Sequence, residues 1–435
     1  MELIIAALLI WLVVVSCLAS FGRESTIGWN RWHWAMVGCG LLIAATMENR
    51  WAGALMGTLS LGMLSFTSPV RIIRLYFFPI LALGAAYAAL APHMTPAMVA
   101  PILWAMVGVT VCVGLWALHS LWHREPYHTR IWPLWGAQPV ATVVGHPEDG
   151  ITMTSDPGSS QGYFIFDIPQ VCIRAGQGNA NHAQAIGVVG TAAACGLWWM
   201  GQPWALAALG LTLLPVLICR DRRSSWLTQG PVYVGFVGLM LLTMTALNDG
   251  APMWRVGAEW GVLLVGGLWV AKPWSRGEGW YDGDRMRVWR EAIRHYWLHP
   301  PVYLATTIYW RWFYRLMGYG ISSWETLVLL GKRIEPTVKL MVPAHNEYVA
   351  LLIERGLIGL VCALGFIGSA AWTLAHAGPT GQAVLLVGLT ICAIATTHFP
   401  WTFPQGITKT TKEGYGNMGL VILSFVTALL AEGFR

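Results

Sequence analysis

The sequence predicts an all-α polytopic membrane protein, a single integral domain over residues 1–435 with about twelve transmembrane helices. Three observations lead there. The chain is 56% hydrophobic and only 11% charged, against roughly 25% charged in a soluble domain. Apolar runs long enough to span a bilayer, about 17 to 25 residues, recur from end to end. Two long polar stretches, 121–183 and 272–346, interrupt them.

In chain order the expected spans are 2–20, 32–48, 52–68, 75–92, 98–120, 184–201, 204–219, 231–248, 256–271, 347–373, 381–397 and 416–431. The runs at 52–68 and 204–219 are short. The first run lacks a basic leading region and a small-residue cleavage site, so it is expected to be retained as a span. Within the loop 121–183, Val140 to Val144, Ile151 to Thr154 and Gly162 to Ile168 alternate like short strands between Gly, Pro and Asp turns. A small hairpin over the membrane is expected there. The chain has no internal repeat, low-complexity tract or soluble domain with its own core. Phosphate-binding glycine loops, paired Asp motifs and cysteine metal clusters are absent from the sequence.

Of the eight cysteines, only Cys172 lies in a long loop, which argues against a disulfide framework. The others read as small core residues. Net charge is +6, and its placement matters more than its size. Basic residues crowd the loops after spans one, three, five, seven and nine, which share one face. The opposite face shows little beyond Arg50, Arg255 and Arg435. By the positive-inside rule the arginine-rich face would be cytoplasmic.

The loop 272–346 holds an expected amphipathic helix at 285–299, with Asp284 as N-cap and Pro300 as stop. Trp289, Ala292, Ile293, Tyr296 and Trp297 follow the helical i, i+3, i+4, i+7, i+8 rule. Arg287, Arg290 and Arg294 fall on the opposite side, where an interfacial helix meets lipid phosphates. Arg285 precedes Trp289 by one turn and projects onto the apolar side, where a half-buried arginine needs an anion. A second basic cluster, Arg220-Asp-Arg222-Arg223-Ser-Ser-Trp226-Leu, lies between spans seven and eight. Arginine at a membrane boundary either anchors to lipid or binds phosphate through its planar fork. His119 with His123, and His295 with His299, have the i, i+4 spacing of shared metal ligands, but no third ligand accompanies either pair. Glu259 is a lone acid inside a span, without the interrupted helices and inverted repeats of a transporter.

The most informative stretch is Ala344-His345-Asn346-Glu347 through Gly356-Leu-Ile-Gly359. An ionisable histidine and an amide stand where a long apolar helix begins, and polar groups at membrane depth are costly. On a continuous helix, Gly356 lies about 20° from His345 and Gly359 about 40° to its other side. That would leave a smooth face for another helix.

His345-Asn346, nine residues, then Gly356-x-x-Gly359 resembles the signature of the O-antigen ligase family, which includes O-antigen polymerases and protein O-oligosaccharyltransferases. Arg223-Ser-Ser-Trp226-Leu resembles the family's Ser-Arg-Gly-Ala-Trp-Leu segment, with Arg222 in place of the small residue. Gly178-Asn-Ala180-Asn-His182 is similar to its Gly-Asn-Pro-Asn segment, with Ala180 in place of proline. The family also carries an arginine one turn before a tryptophan, matching Arg285 and Trp289.

The resemblance implies a multi-pass protein of the bacterial cytoplasmic (inner) membrane. Its loops 121–183 and 272–346 would face outward, against the charge rule. The implied reaction moves a glycan from a polyprenyl-pyrophosphate donor to an acceptor hydroxyl on lipid A-core or a growing glycan, as in lipopolysaccharide biosynthesis. His345 would be the base. Arg223 and Arg285, with Arg220 and Arg222 beside them, would hold the pyrophosphate, and Asn346 would cap the helix or orient the sugar. No metal or other cofactor is required, because arginines replace the divalent cation. Expected partners are the lipid-linked glycan, its acceptor and membrane lipids, and no nucleic acid. The alternative is a non-catalytic membrane subunit that keeps the fold and binds lipid or pigment in a larger complex.

Overall fold

Apolar runs become helices where the sequence places them. The computed structural model of the chain describes residues 31–61, 70–122, 142–146, 151–155, 163–166, 180–219, 229–249, 289–290, 292–298, 308–320, 323, 346–396 and 418–435. The expected spans at 2–20 and 256–271, and Glu259 with them, lie outside these residues.

The helices are α1 (Arg31–Thr46), α2 (Arg50–Leu61), α3 (Val70–Leu90), α4 (Val99–Trp122), α5 (Ala180–Trp199), α6 (Trp204–Thr212), α7 (Leu214–Ile218), α8 (Gln229–Asn248), α9 (Ile308–Met317), α10 (Glu347–His376), α11 (Gly378–Ile394) and α12 (Met418–Glu432). Every other expected span has a helix, although residues 62–68 lie outside the description. The run at 204–219 is two short helices, because Pro215 cannot supply the N–H a continuous helix would need at that point. The expected hairpin in 121–183 is a three-stranded antiparallel sheet of β1 (Thr142–His146), β2 (Ile151–Ser155) and β3 (Tyr163–Phe166). Val144 pairs with Met153, and Met153 pairs with Phe164.

Among the described residues, two helical segments, Pro96–His119 and Glu347–His376, are long and apolar enough to cross a membrane, and seven shorter apolar helices accompany them. Side chains are distributed as a lipid-facing exterior requires. Leu42, Val109, Leu217 and Leu242 are all more than half exposed, while Thr110, Gln184, Thr191 and Thr390 are buried. The six described cysteines are free thiols.

Helix α5 is the central post. Its residues from Ala183 to Leu197 are buried throughout, with α4, α8 and α11 packed around them. Small residues make this possible. Gly190 faces Thr110 of α4, Gly187 faces Pro215 and Val216 of α7, and Gly196 faces Ala383 of α11. A Cβ at Gly190 would run into the Thr110 hydroxyl, which itself donates to the Ile186 carbonyl at 3.3 Å. Backbones in lipid associate where small residues let them approach, and α5 is built on that rule.

One expectation is overturned. Helix α10 is not continuous: Gly356 adopts φ 65°, ψ −168°, and divides it into two segments. The angles extrapolated from His345 through Gly356 therefore do not carry into the second segment. Gly356 is met by the C-terminal end of α9 and the turn after it, and Gly359 by its own helix. A Cβ at Gly356 would meet the backbone of Leu316 and Gly318, and one at Gly359 would meet the side chain of Arg355 in the same helix. A second close helix–helix approach on α10 is at Gly365, against the ring of Trp51 in α2.

Candidate functional site

Helix α10 begins with Asn346 in extended conformation as its N-cap. The Asn346 Oδ1 accepts from the Val349 N–H at 3.0 Å, and its carbonyl accepts from the Ala350 N–H at 3.0 Å. The Val349 N–H, one of the donors orphaned at a helix start, is thereby satisfied. The Glu347 N–H donates to the Ala395 carbonyl at 2.9 Å, just past the end of α11. The Tyr348 hydroxyl donates to the Cys392 carbonyl at 2.9 Å. The tight turn at Gly378 (φ 69°) folds α10 and α11 into an antiparallel pair. The positive end of one helix dipole thus lies beside the negative end of the other. Glu347 itself sits in the first turn of α10, the favourable place for an acid.

The start of α8 reaches the same end of the bundle. The Tyr233 hydroxyl lies 3.5 Å from the Thr396 hydroxyl, one residue beyond the Ala395 carbonyl that holds Glu347. On the other flank of the 220–228 segment, the Cys219 carbonyl accepts from Gln184 Nε2 of α5 at 2.6 Å. Both described ends of the arginine-rich segment are therefore fastened to the bundle.

Nine residues into α10, the break at Gly356 changes the hydrogen bonding. The N–H of Tyr319 donates to the Ile353 carbonyl at 3.0 Å, and that of Gly320 to the Glu354 carbonyl at 2.9 Å. Gly318 (φ 74°) lies against Gly356 (φ 65°), backbone on backbone. Glycine is required at both, since each lies in the left-handed region and a Cβ on either would strike the other strand. Around this clasp Glu347, Glu354 and Arg355 are 1%, 5% and 4% exposed.

The clasp also holds the arginine-bearing interfacial segment. Residues 289–290 and 292 are α-helical and Ile293–Leu298 form a π-helix, so the expected helix is wider-wound at its end. The Tyr319 hydroxyl donates to the Tyr296 carbonyl at 2.7 Å. Arg315 Nε donates to the Trp297 carbonyl at 3.1 Å and Arg315 Nη2 to that of Leu298. Trp297 Nε1 returns a bond to the Arg315 carbonyl at 3.1 Å. A guanidinium on the terminal carbonyls is a favourable C-cap. Tyr319 stacks on Tyr314 at 4.5 Å and meets Tyr296 edge-on at 6.3 Å. Burial pushes the Tyr314 phenol up.

The apolar face is as expected: Ala292 and Tyr296 are buried, Trp289, Ile293 and Trp297 half-buried, and Arg290 and Arg294 exposed. Of the six residues expected to form the site, Asn346 is the described one, and it caps the helix. His345, Arg220, Arg222, Arg223, Arg285 and Arg287 lie outside the described residues, as do His123 and His299. Helix α5 begins at Ala180, so the Asn181-His182 pair opens a helix. Sequence reasoning missed the clasp, Arg315 and Arg355. Gly318-Tyr-Gly320, one residue past an aromatic helix, was the available signal for the clasp.

No family model, curated protein or solved structure matches the chain.

Proposed function

We propose that the protein is a glycosyltransferase of O-antigen ligase or polymerase type, with about twelve spans in the bacterial cytoplasmic membrane. It would move a glycan from a polyprenyl-pyrophosphate donor to an acceptor hydroxyl at the outer face. One observation carries the reading. The start of α10 and the Tyr233 flank of the arginine cluster 220–228 both bond to the residues just past α11, and the interfacial segment 289–298 is bonded through Tyr319 to Ile353 of α10. These are the three segments that a base and a pyrophosphate clamp would need together.

In this scheme His345, next to the cap of α10, takes the acceptor proton. The positive end of the helix favours a neutral imidazole, the form that accepts it. Arg223 and Arg285 hold the pyrophosphate and stabilise charge as it departs. The acceptor oxygen bonds to the anomeric carbon while the carbon–pyrophosphate bond breaks, and this single displacement inverts configuration.

The test is transfer of labelled glycan in proteoliposomes. His345→Ala should lose roughly 10² to 10⁴ in rate at unchanged expression and donor binding. Activity within threefold of wild type would remove His345 from the chemistry.

A further inference from the structure

Arg355 is a buried charged side chain that the scheme above does not use. It is 4% exposed beside the buried Glu354 carboxylate, which acts on its charge, yet among the described residues its Nη1 has no hydrogen-bond partner. A buried guanidinium nitrogen without an acceptor costs free energy, which an anion at this position would offset.

The break at Gly356 supplies a second feature beside it. When the helix restarts after Gly356, its first N–H groups form a new helix N-terminus. In a continuous helix the N–H groups of Leu357 and Ile358 would use the carbonyls of Ile353 and Glu354. Those carbonyls are taken by the N–H groups of Tyr319 and Gly320. The Arg355 side chain runs along this new first turn. The hydrogen of Gly359 faces its Cβ, and a Cβ there would lie 3.2 Å from its Cγ. The stem of Arg355 has room because residue 359 is glycine. Arg355 therefore stands at the start of the second helical segment, inside an apolar helix.

We propose that Arg355 and the opening N–H groups of the second half of α10 form an oxyanion site within the membrane, taking a phosphate borne by a lipid. Half-helix N-termini at interrupted spans bind anions for the same reason: the dipole and the free N–H groups act together in low dielectric. The arginine adds charge-assisted bonds from a planar fork. Taking that lipid to be the polyprenyl-linked donor rests on the proposed function; the site itself does not. In that case Arg355 is a third phosphate ligand, set deeper along α10 than the cap at Asn346. It would position the polyprenyl end of the donor after the arginine segments engage the pyrophosphate.

The experiment uses the full chain purified in maltoside detergent, with undecaprenyl phosphate, phosphatidylglycerol and inorganic pyrophosphate as separate probes, each titrated and read by native mass spectrometry. Wild type should bind undecaprenyl phosphate. Arg355→Gln should bind it at least about tenfold more weakly, the scale of a lost charge-assisted hydrogen bond. Gly359→Ala keeps the charge but displaces the Arg355 stem, and should weaken binding as well. Arg50→Gln, exposed at the start of α2, should match wild type.

Arg355-dependent binding of phosphatidylglycerol but not of undecaprenyl phosphate would uphold the site and remove the polyprenyl donor. Arg355-dependent binding of inorganic pyrophosphate would uphold the site with the phosphate head alone as its ligand. Equal affinity in wild type and Arg355→Gln, or no binding of any probe by wild type, would overturn the site. Loss of transfer by His345→Ala is read separately, so either idea can fail alone. Should Arg355→Gln aggregate, Gly359→Ala decides, and wild-type affinity in that variant would overturn the proposal.

Discussion

The two ends of helix α10 handle buried polarity in opposite ways. Near its C-terminal end, Glu432 of α12 forms a fully paired cluster. Its Oε1 accepts from Asn49 Nδ2 at 2.7 Å and from the Tyr87 hydroxyl at 2.6 Å, and lies 3.3 Å from Arg435 Nε. Arg435 Nη2 in turn donates to the Ser369 hydroxyl of α10 at 2.8 Å. Asn49 Oδ1 still has capacity to cap α2 through the N–H groups of Trp51 and Ala52. At the other end the helix is broken, its carbonyls are borrowed by a loop, and Arg355 Nη1 and the Ser323 hydroxyl are buried without partners. Buried polar groups are worth having for stability when every donor and acceptor is used. An end where they are left over is under a different demand. The paired end fastens α2, α3, α10 and α12 together; the broken end leaves polar atoms without partners among the described residues.

This contrast can be broken by substitution, and the largest effect should come from the clasp. Gly356→Ala places a Cβ against the Leu316 and Gly318 backbones at a left-handed φ. Backbone cannot yield as a side-chain tip does, so a loss of roughly 3 kcal/mol or more is expected. The purified protein should show a sharply lower melting temperature or fail to accumulate. A wild-type melting curve would mean that the break at Gly356 is not required by the native fold.

Glu432→Ala should come next. It strips the common acceptor from Asn49, Tyr87 and Arg435, leaving donors at a partly buried site. A loss of roughly 2 to 4 kcal/mol follows, read as a lower melting temperature. Glycan transfer per folded molecule should be unchanged if this end is purely structural. A specific loss of transfer at normal stability would erase the distinction between the two ends.

Asn346→Ala should be the mildest. Removing the cap bond to the Val349 N–H costs about 1 kcal/mol. Asn346→Asp, which also caps, should restore stability. If transfer stays low in Asn346→Asp while stability recovers, the amide has a second task beside the cap.

Much of this molecule was legible in the chain. Apolar runs marked the helices because a bilayer-length segment must satisfy its own backbone, and only a helix does so within one segment. The alternation at 140–168 marked the strands, and Asn346 marked a helix start. The face of the interfacial segment followed from its period, with Ala292 and Tyr296 inward and Arg290 and Arg294 outward. These are local properties, and neighbours in sequence carry them.

What the sequence could not express is where distant backbones meet. Gly356 reads as one more small residue on a helix face until Gly318 is set against it, 38 positions earlier in the chain. The helical extrapolation failed there because a tertiary contact supplied the hydrogen bonds that the helix gave up at Ile353 and Glu354. Arg355 likewise reads as an ordinary cation beside an acid. Its meaning comes from burial and from the break beside it, both consequences of packing. Composition, periodicity and caps determined by themselves that the chain forms apolar helices and where they begin. Only the tertiary structure decided which helix would break and which guanidinium nitrogen would be left without an acceptor, because those depend on contacts made after the helices exist.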